Sequence, residues 1–146
     1  MRITQEADYA LRIVYLLAQR GKLTDSGTIS TTVGVTDRFT VKILRKLVQG
    51  GLVTSQKGAA GGYQLALQPR EISMRNVLET IDGPMCISRC LEDGYECTRT
   101  GDQKHCCTFH CIFGKINKNL IEALDKVTLD QVIGEDADIE TILKKF

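Results

Sequence analysis

Apolar residues in the first third of the chain recur at the three- and four-residue steps of amphipathic helices. This pattern predicts helices over residues 5–19, 28–34 and 36–50, with glycines at or just after their ends that stop them. Two helices joined by a short turn that contains glycine have the layout of a helix-turn-helix. The predicted N-caps of the three helices are Thr4, Thr28 and Thr36.

Two short strands are predicted next, over residues 52–56 and 62–67, with the glycine-rich turn KGAAG between them. Glycine at such a turn permits a tight bend or a close approach to another backbone. Three helices followed by a basic, glycine-rich hairpin are typical of a winged helix-turn-helix.

The second half of the chain is organised differently. After a helix over residues 74–82 comes a loop that holds most of the cysteines, and a long amphipathic helix then runs over residues 108–126. We expect this helix to pack against a second copy of the chain, because two-fold dimers suit palindromic DNA sites. The predicted class is α+β and mostly helical. The predicted parts are a winged helix-turn-helix domain (1–83), a cysteine-rich loop (84–107), and a dimerisation helix with its tail (108–146).

The net charge of +1 hides an asymmetry along the sequence. Residues 1–80 hold 11 Lys and Arg against 6 Asp and Glu, whereas residues 81–146 hold 8 against 12. Within residues 36–57, five basic side chains stand against Asp37 alone. Such a segment indicates contact with a polyanion, although a solvated helix face gives the same count.

The predicted partner of this segment is double-stranded DNA. The second helix of a helix-turn-helix enters the major groove with its N-terminal residues facing base edges, where Arg38 can make a bidentate contact with guanine. Lys57 and Gly58 at the wing tip can reach the backbone or the minor groove, and threonines at helix starts can bind phosphates. The predicted DNA contacts are Thr28, Thr36, Arg38, Thr40, Lys42, Lys57 and Gly58.

All six cysteines lie between residues 86 and 111. Nothing indicates secretion, and no apolar run approaches the roughly 18 residues of a membrane span. A cytoplasmic protein with no membrane association is therefore expected, and clustered cysteines in such a protein indicate metal or redox chemistry. For Cys86 and Cys111, the alternative to metal or redox chemistry is that the thiol only packs within the fold.

The cysteine spacing bears on the kind of chemistry. Cys-x2-Cys pairs, which zinc sites and dithiol oxidoreductases use, are absent from the sequence. Wide, irregular spacing on a loop favours a bulky iron–sulfur cluster. Two weaker alternatives are a zinc-stabilised protein and a thiol reductase that uses Cys106 and Cys107. We expect a regulator rather than an enzyme.

Several motifs occur in a fixed order along the chain. They are MRIT and ADYALR at the start, the helix TDRFTVKILRKLVQGGLV, the wing GAAGGYQL, IDG before the loop, and VTLDQVI after it. Together they resemble the Rrf-two family of bacterial winged-helix regulators, which includes iron–sulfur cluster assembly repressors and nitric-oxide-sensitive repressors. The resemblance spans roughly residues 1–133. It implies a homodimer joined by the long helix and, as in many members, a cluster held by three loop cysteines.

The resemblance also implies the ligands. When the chain is aligned with the family from the IDG motif, the first family cysteine falls on Cys90. When it is aligned from the VTLDQVI motif, the third falls on Cys107. Cys97 is then the middle ligand, although the gaps are wider than is usual in the family and leave Cys106 as its alternative.

Two residues compete to be the fourth ligand. Cluster assembly repressors use a histidine at the position of His110, with a two-iron cluster. Nitric-oxide-sensitive repressors use an aspartate at the position of Asp8, donated by the partner subunit to a four-iron cluster. The opening ADYALR favours Asp8. The expected function is a repressor that senses redox state, nitric oxide or iron–sulfur status. The alternative is a cluster-free regulator controlled by thiol oxidation or by a protein partner.

Overall fold

The computed structural model describes residues 3–99, 107–134 and 138–146. Its elements follow the order of a winged helix, so the predicted α+β, mostly helical class is confirmed. The elements are α1 (Gln5–Arg20), α2 (Ser26–Val33), α3 (Asp37–Gln49), β1 (Val53–Gln56), β2 (Gly62–Leu65), α4 (Met74–Asp82), α5 (Thr108–Asp125), α6 (Leu129–Val132) and α7 (Ile139–Leu143), with short 3-10 helices at Pro69–Glu71 and Arg89–Leu91.

Local capping explains where most of these helices begin. The Thr4 hydroxyl accepts the backbone N–H of Ala7 at the start of α1, and Gly21 ends that helix in the left-handed conformation. Ser73 caps α4 in the same way by accepting the N–H of Asn76. The predicted cap of α1 is therefore confirmed, and α4 has the bounds that the sequence predicts.

Helix α2 begins earlier than predicted. Its N-cap is Asp25, whose carboxylate accepts both the backbone N–H (2.8 Å) and the hydroxyl (2.6 Å) of Thr28. These hydrogen bonds hold the pKa of Asp25 below its usual value of 3.8. The assignment of Thr28 as the cap was wrong, because the carboxylate three residues upstream satisfies the helix N-terminus and leaves Thr28 within the first turn.

One apolar core joins the first four helices to the hairpin. Helices α1, α3 and α4 each turn one apolar face inward, as their periodicity predicts. The fully buried side chains of the core include Ile13, Val14, Leu17, Ile29, Ile43, Leu44, Leu47, Val53, Ile72 and Val77.

The wing is an antiparallel pair, in which Val53 of β1 lies opposite Leu65 of β2. Thr24 extends it with a bridge to Tyr63, with N–O distances of 2.9 and 2.8 Å. A Cβ atom at Gly62 would lie 2.6 Å from the Thr24 carbonyl oxygen. Glycine is required there because two backbones meet.

The segment after α5 packs back against the winged-helix domain, and the apolar periodicity of the sequence did not predict this. The Val127 carbonyl accepts the N–H of Met74, and Leu129 donates its N–H to the Ile72 carbonyl. Val127 continues the apolar period of α5, but it lies after the end of that helix and is buried. No helix within the described residues is long and apolar enough to cross a membrane.

Candidate DNA interface and metal centre

The exposed face of α3 is strongly basic. Arg38, Lys42 and Arg45 lie on it, and they are exposed. A shallow concavity runs along this face, lined by Thr36, Asp37, Arg38, Phe39, Val41, Lys42 and Arg45. A concave basic surface along a recognition helix is suited to a nucleic-acid backbone.

Thr40 is on the opposite face of the same helix. Its side chain is 0% exposed, and its hydroxyl has no hydrogen-bond partner among the described residues. It precedes Ile43, Leu44 and Leu47 by three, four and seven positions, which places all four on the buried side. The prediction of a DNA contact at Thr40 is therefore wrong.

Polar and aromatic contacts set the angle of α3 within the domain. The Ser30 hydroxyl on α2 donates to the Asp37 carboxylate in the first turn of α3. Tyr9 of α1 meets Phe39 edge to face, with ring centroids 5.9 Å apart. Asp37, the lone acidic residue of the basic segment, is thus hydrogen-bonded within the helix-turn-helix.

A carboxylate from α1 neutralises part of the basic face. Glu6 has a side chain only 17% exposed, and its two oxygens lie 3.3 Å from Lys42 Nζ and 3.1 Å from Lys46 Nζ. Burial by itself raises the pKa of Glu6, but the two ammonium groups outweigh this and hold it below 4.5. The sequence carries no local signal for this cluster, because 36 residues separate Glu6 from Lys42.

The wing tip presents a further cation. Lys57 and Gly58 are both exposed, and Gly58 has a φ of 110°. A Cβ atom at Gly61 would lie 2.3 Å from the Gln56 carbonyl oxygen, so the turn closes only with glycine. The tight turn leaves the Lys57 side chain at the end of the hairpin.

Two side chains hold the start of the cysteine-rich loop. Asn117 of α5 is buried, its Nδ2 donates to the Met85 carbonyl (2.9 Å), and its Oδ1 accepts the Ile87 N–H (3.0 Å). Glu79 of α4 accepts the Met85 N–H at 3.3 Å. The loop therefore starts from a backbone clamped between α4 and α5. Asn117 was not among the predicted site residues, because its only signal in the sequence is a polar residue in an amphipathic helix.

An ion-pair network joins the same two helices farther along. Arg75 on α4 pairs with Glu79 on its own helix and with Asp125 on α5, each at 2.9 Å. Ser73 also donates to the Asp125 carboxylate at 3.1 Å. The position of α5 is thus coupled to α4 at two separate points.

The predicted cysteine ligands lie on or beside the loop. Cys90 is in the short 3-10 helix, with its sulfur 3.3 Å from the Ser88 hydroxyl, and Cys107 precedes α5 as its N-cap. Cys90, Cys97 and Cys107 are all half-buried. Among the described residues, no three His, Cys, Asp or Glu side chains converge closely enough to bind a metal. The alternative ligand Cys106 lies outside the described residues.

His110 and Asp8, the two candidates for the fourth ligand, differ in their surroundings. His110 lies one turn after Cys107, and its buried Nδ1 has no hydrogen-bond partner among the described residues. Asp8 is on α1, half-exposed, with its carboxylate 2.8 Å from Arg12 of the same helix. An unpartnered imidazole nitrogen and the loop thiols together make a donor set that fits an iron–sulfur cluster by its chemistry.

Cys86 has a different environment from the predicted ligands. Burial raises the pKa of its thiol, and the nearby carboxylates of Glu92 and Asp93 raise it further.

Comparison with known proteins identifies the family. The Rrf2 family, described as an iron-dependent transcriptional regulator, matches residues 3–135. The chain is 27% identical to the regulator NsrR of Bacillus subtilis, covering 99% of this chain and 98% of NsrR. It is 28% identical to IscR of Pectobacterium atrosepticum, covering 91% and 79%.

Solved structures agree with this match. CymR, the global cysteine regulator of B. subtilis, superposes with a TM-score of 0.69 at 26% identity, covering 89% of this chain and 94% of CymR. IscR of T. potens has the same fold, with a TM-score of 0.65 at 21% identity, covering 89% and 84%. The chain therefore belongs to the Rrf2 family, which is the family that its sequence motifs resemble. It is a winged-helix, DNA-binding transcriptional regulator rather than an enzyme.

Proposed function

We propose that this protein is a cytoplasmic, homodimeric repressor whose affinity for double-stranded DNA is set by an iron–sulfur cluster on its cysteine-rich loop. The observation that carries the proposal is the clamp of Asn117 and Glu79 on the loop start. A change in the loop would act through this clamp on both α4 and α5. Helix α4 also touches the recognition helix, because Lys46 donates to the Ile81 carbonyl at 3.2 Å.

The proposed DNA contacts combine the recognition helix with the wing. Arg38 at the exposed start of α3 would read a guanine, and Lys57 at the wing tip would bind phosphate. Further polar groups at the helix starts and the wing tip would position the duplex. These further contacts are Thr36 and Gly58, whereas the Thr28 donors are engaged by Asp25 and Lys42 is paired with Glu6.

The proposed dimer forms through α5. Phe109, Ile112 and Ile116 recur at three- and four-residue steps and are 59%, 49% and 49% exposed. Exposed apolar residues in a row mark an interaction surface. A second copy of the same helix would cover them and would place two recognition helices on the halves of a palindrome.

The proposed cluster ligands are Cys90, Cys97 and Cys107. Asp8 of the partner subunit is the proposed fourth ligand, and the unpartnered Nδ1 of His110 supports His110 as its competitor. When bound, the cluster would supply reversible electron transfer and sensitivity to nitric oxide. The protein's part is to anchor the loop, so that loss or change of the cluster shifts α4 and α5.

A cluster-free regulator that responds to thiol oxidation is the second candidate. The similarity to CymR, the global cysteine regulator of B. subtilis, favours it. Among the described residues, Cys90, Cys97 and Cys107 also do not form a group that could bind a metal.

Metal analysis of anaerobically purified protein separates the candidates. We expect iron and acid-labile sulfide in equal amounts, and we expect them to be lost in Cys90→Ser, Cys97→Ser and Cys107→Ser. Cys86→Ser and Cys111→Ser are the matched controls and should keep both. Zinc in place of iron, or no metal in the unmodified protein, would rule out the cluster.

The fourth ligand is tested with two further variants. Asp8→Ala should labilise the cluster more than His110→Ala does, as judged by iron content and by the visible spectrum. If His110→Ala strips the cluster while Asp8→Ala leaves iron and spectrum unchanged, His110 is the ligand.

A further inference from the structure

We propose that Glu6 is a positioning residue that withholds Lys42 from the DNA backbone, and so sets the strength and salt dependence of DNA binding. The inference rests on the proposed placement of α3 against DNA. Glu6 belongs to α1, outside the helix-turn-helix itself.

One carboxylate pairs with two lysines of α3. Glu6 places one carboxylate oxygen 3.3 Å from Lys42 Nζ and the other 3.1 Å from Lys46 Nζ. The three side chains together carry one net positive charge rather than two. A count of lysines on α3 therefore overstates the charge that this face offers to phosphate.

Lys46 and Lys42 differ in how firmly the fold holds their ammonium groups. Lys46 is held twice, by Glu6 and by the Ile81 carbonyl at 3.2 Å, at the C-terminal end of α4. Lys42 is held once, is 58% exposed, and has its ammonium 5.5 Å from the centre of the Phe39 ring. Lys46 is fixed by the fold, whereas Lys42 is on the DNA-facing surface and is restrained chiefly by Glu6.

Separating Lys42 from Glu6 costs free energy. Glu6 is largely buried, and a buried carboxylate that loses a partner is destabilised. A phosphate approaching Lys42 would also meet the negative charge of Glu6 at short range. Both effects favour the Glu6–Lys42 pair over a Lys42–phosphate pair, whereas Arg38 and Arg45 stay exposed on the same face.

The consequence concerns sequence-independent binding. Each lysine that neutralises a phosphate contributes about 0.9 to the slope of log affinity against log salt. With Glu6 in place, Lys42 should contribute much less than this. Removing the Glu6 charge should release Lys42 and strengthen binding to DNA of any sequence.

A double-mutant cycle on full-length protein tests the inference, with affinity for random-sequence duplex DNA measured over a range of salt concentrations. Glu6→Gln should steepen the slope by about 0.9, and Lys42→Gln should remove about that amount in the Glu6→Gln background. In the unmodified background Lys42→Gln should change the slope little. Glu71→Gln removes one exposed negative charge from the same domain and is the matched control.

Other outcomes separate this inference from the function on which it rests. Glu6→Ala is the second variant if Glu6→Gln folds poorly, with thermal unfolding recorded for each protein. An equal effect of Lys42→Gln in both backgrounds, or no effect in either, overturns the role of Glu6. Arg45→Gln should lower the slope by about 0.9 in every background. If it does not, the placement of α3 on DNA is wrong instead.

Discussion

Replacing Asn117 by alanine should destabilise the protein far more than the position of this residue in a mostly exposed helix suggests. The substitution removes both hydrogen bonds that hold the loop start, from Nδ2 to the Met85 carbonyl and from the Ile87 N–H to Oδ1. Met85 is buried and Ile87 is half-buried, so their backbone groups lose a partner that water replaces only in part. Such a group costs about 1–3 kcal/mol, and we expect a total loss of about 2–4 kcal/mol.

That loss is a large share of the roughly 5–15 kcal/mol that stabilises a domain. The assay is urea unfolding, with amide hydrogen exchange at Ile87 as a local probe. Asn119→Ala is the matched control, because Asn119 is the same residue type in the same helix and is exposed. If both variants lose the same small amount, below about 0.5 kcal/mol, or if the Ile87 amide keeps its protection in Asn117→Ala, the clamp does not hold the loop.

Three further changes test the DNA interface, the dimer and a helix cap. Arg38→Ala should lower discrimination at one base pair by about 1–3 kcal/mol, whereas Lys57→Ala should weaken binding to all sequences and reduce the salt slope by about one unit. Equal weakening of specific and random DNA by both variants would contradict the recognition-helix assignment. Ile116→Glu should yield monomers in sedimentation experiments while the neighbouring Lys115→Glu stays dimeric, and an unchanged dimer in both would refute the α5 interface. Hydrogen bonds from Thr28 lower the pKa of Asp25 in the folded protein. The Asp25 carboxylate therefore stabilises α2 fully above its pKa in the unfolded chain, about 3.9, and this stabilisation is lost as the pH falls through its lower pKa in the folded protein. Asp25→Asn should abolish this pH dependence of unfolding, and a persistent dependence would point to another group.

Local signals were sufficient to predict α1, α3, α4, α5 and the hairpin. The caps at Thr4 and Ser73 and the glycine stops are read from neighbouring residues alone, which is why α1 and α4 agree with prediction. The start of α2 failed because Asp25 and Thr28 are both good capping residues, and only the folded turn selects between them. Thr40 could have been placed correctly, since its spacing from Ile43 and Leu47 already puts it on the buried face.

Side-chain contacts that join distant segments could not be predicted in the same way. Glu6 reaches Lys42 across 36 positions, and Asn117 reaches Met85 across 32. Neither pair has a spacing rule, because the packing of α1 on α3 and of α5 on α4 creates both contacts. Helix α6 is too short to show a helical period, so its position also depends on the core that receives it.

The most direct test of the proposed function compares one preparation in two states. The affinity for an operator selected from random-sequence DNA is measured with the cluster-loaded dimer, and again after treatment with nitric oxide under anaerobic conditions. We expect nitric oxide to abolish operator binding, a loss at or beyond the upper end of the roughly 5–150-fold range of typical allosteric coupling. Cys90→Ser and Cys107→Ser should show no response to nitric oxide. If the unmodified protein binds iron and sulfide but its DNA affinity stays the same when the cluster is destroyed, the cluster does not control this repressor.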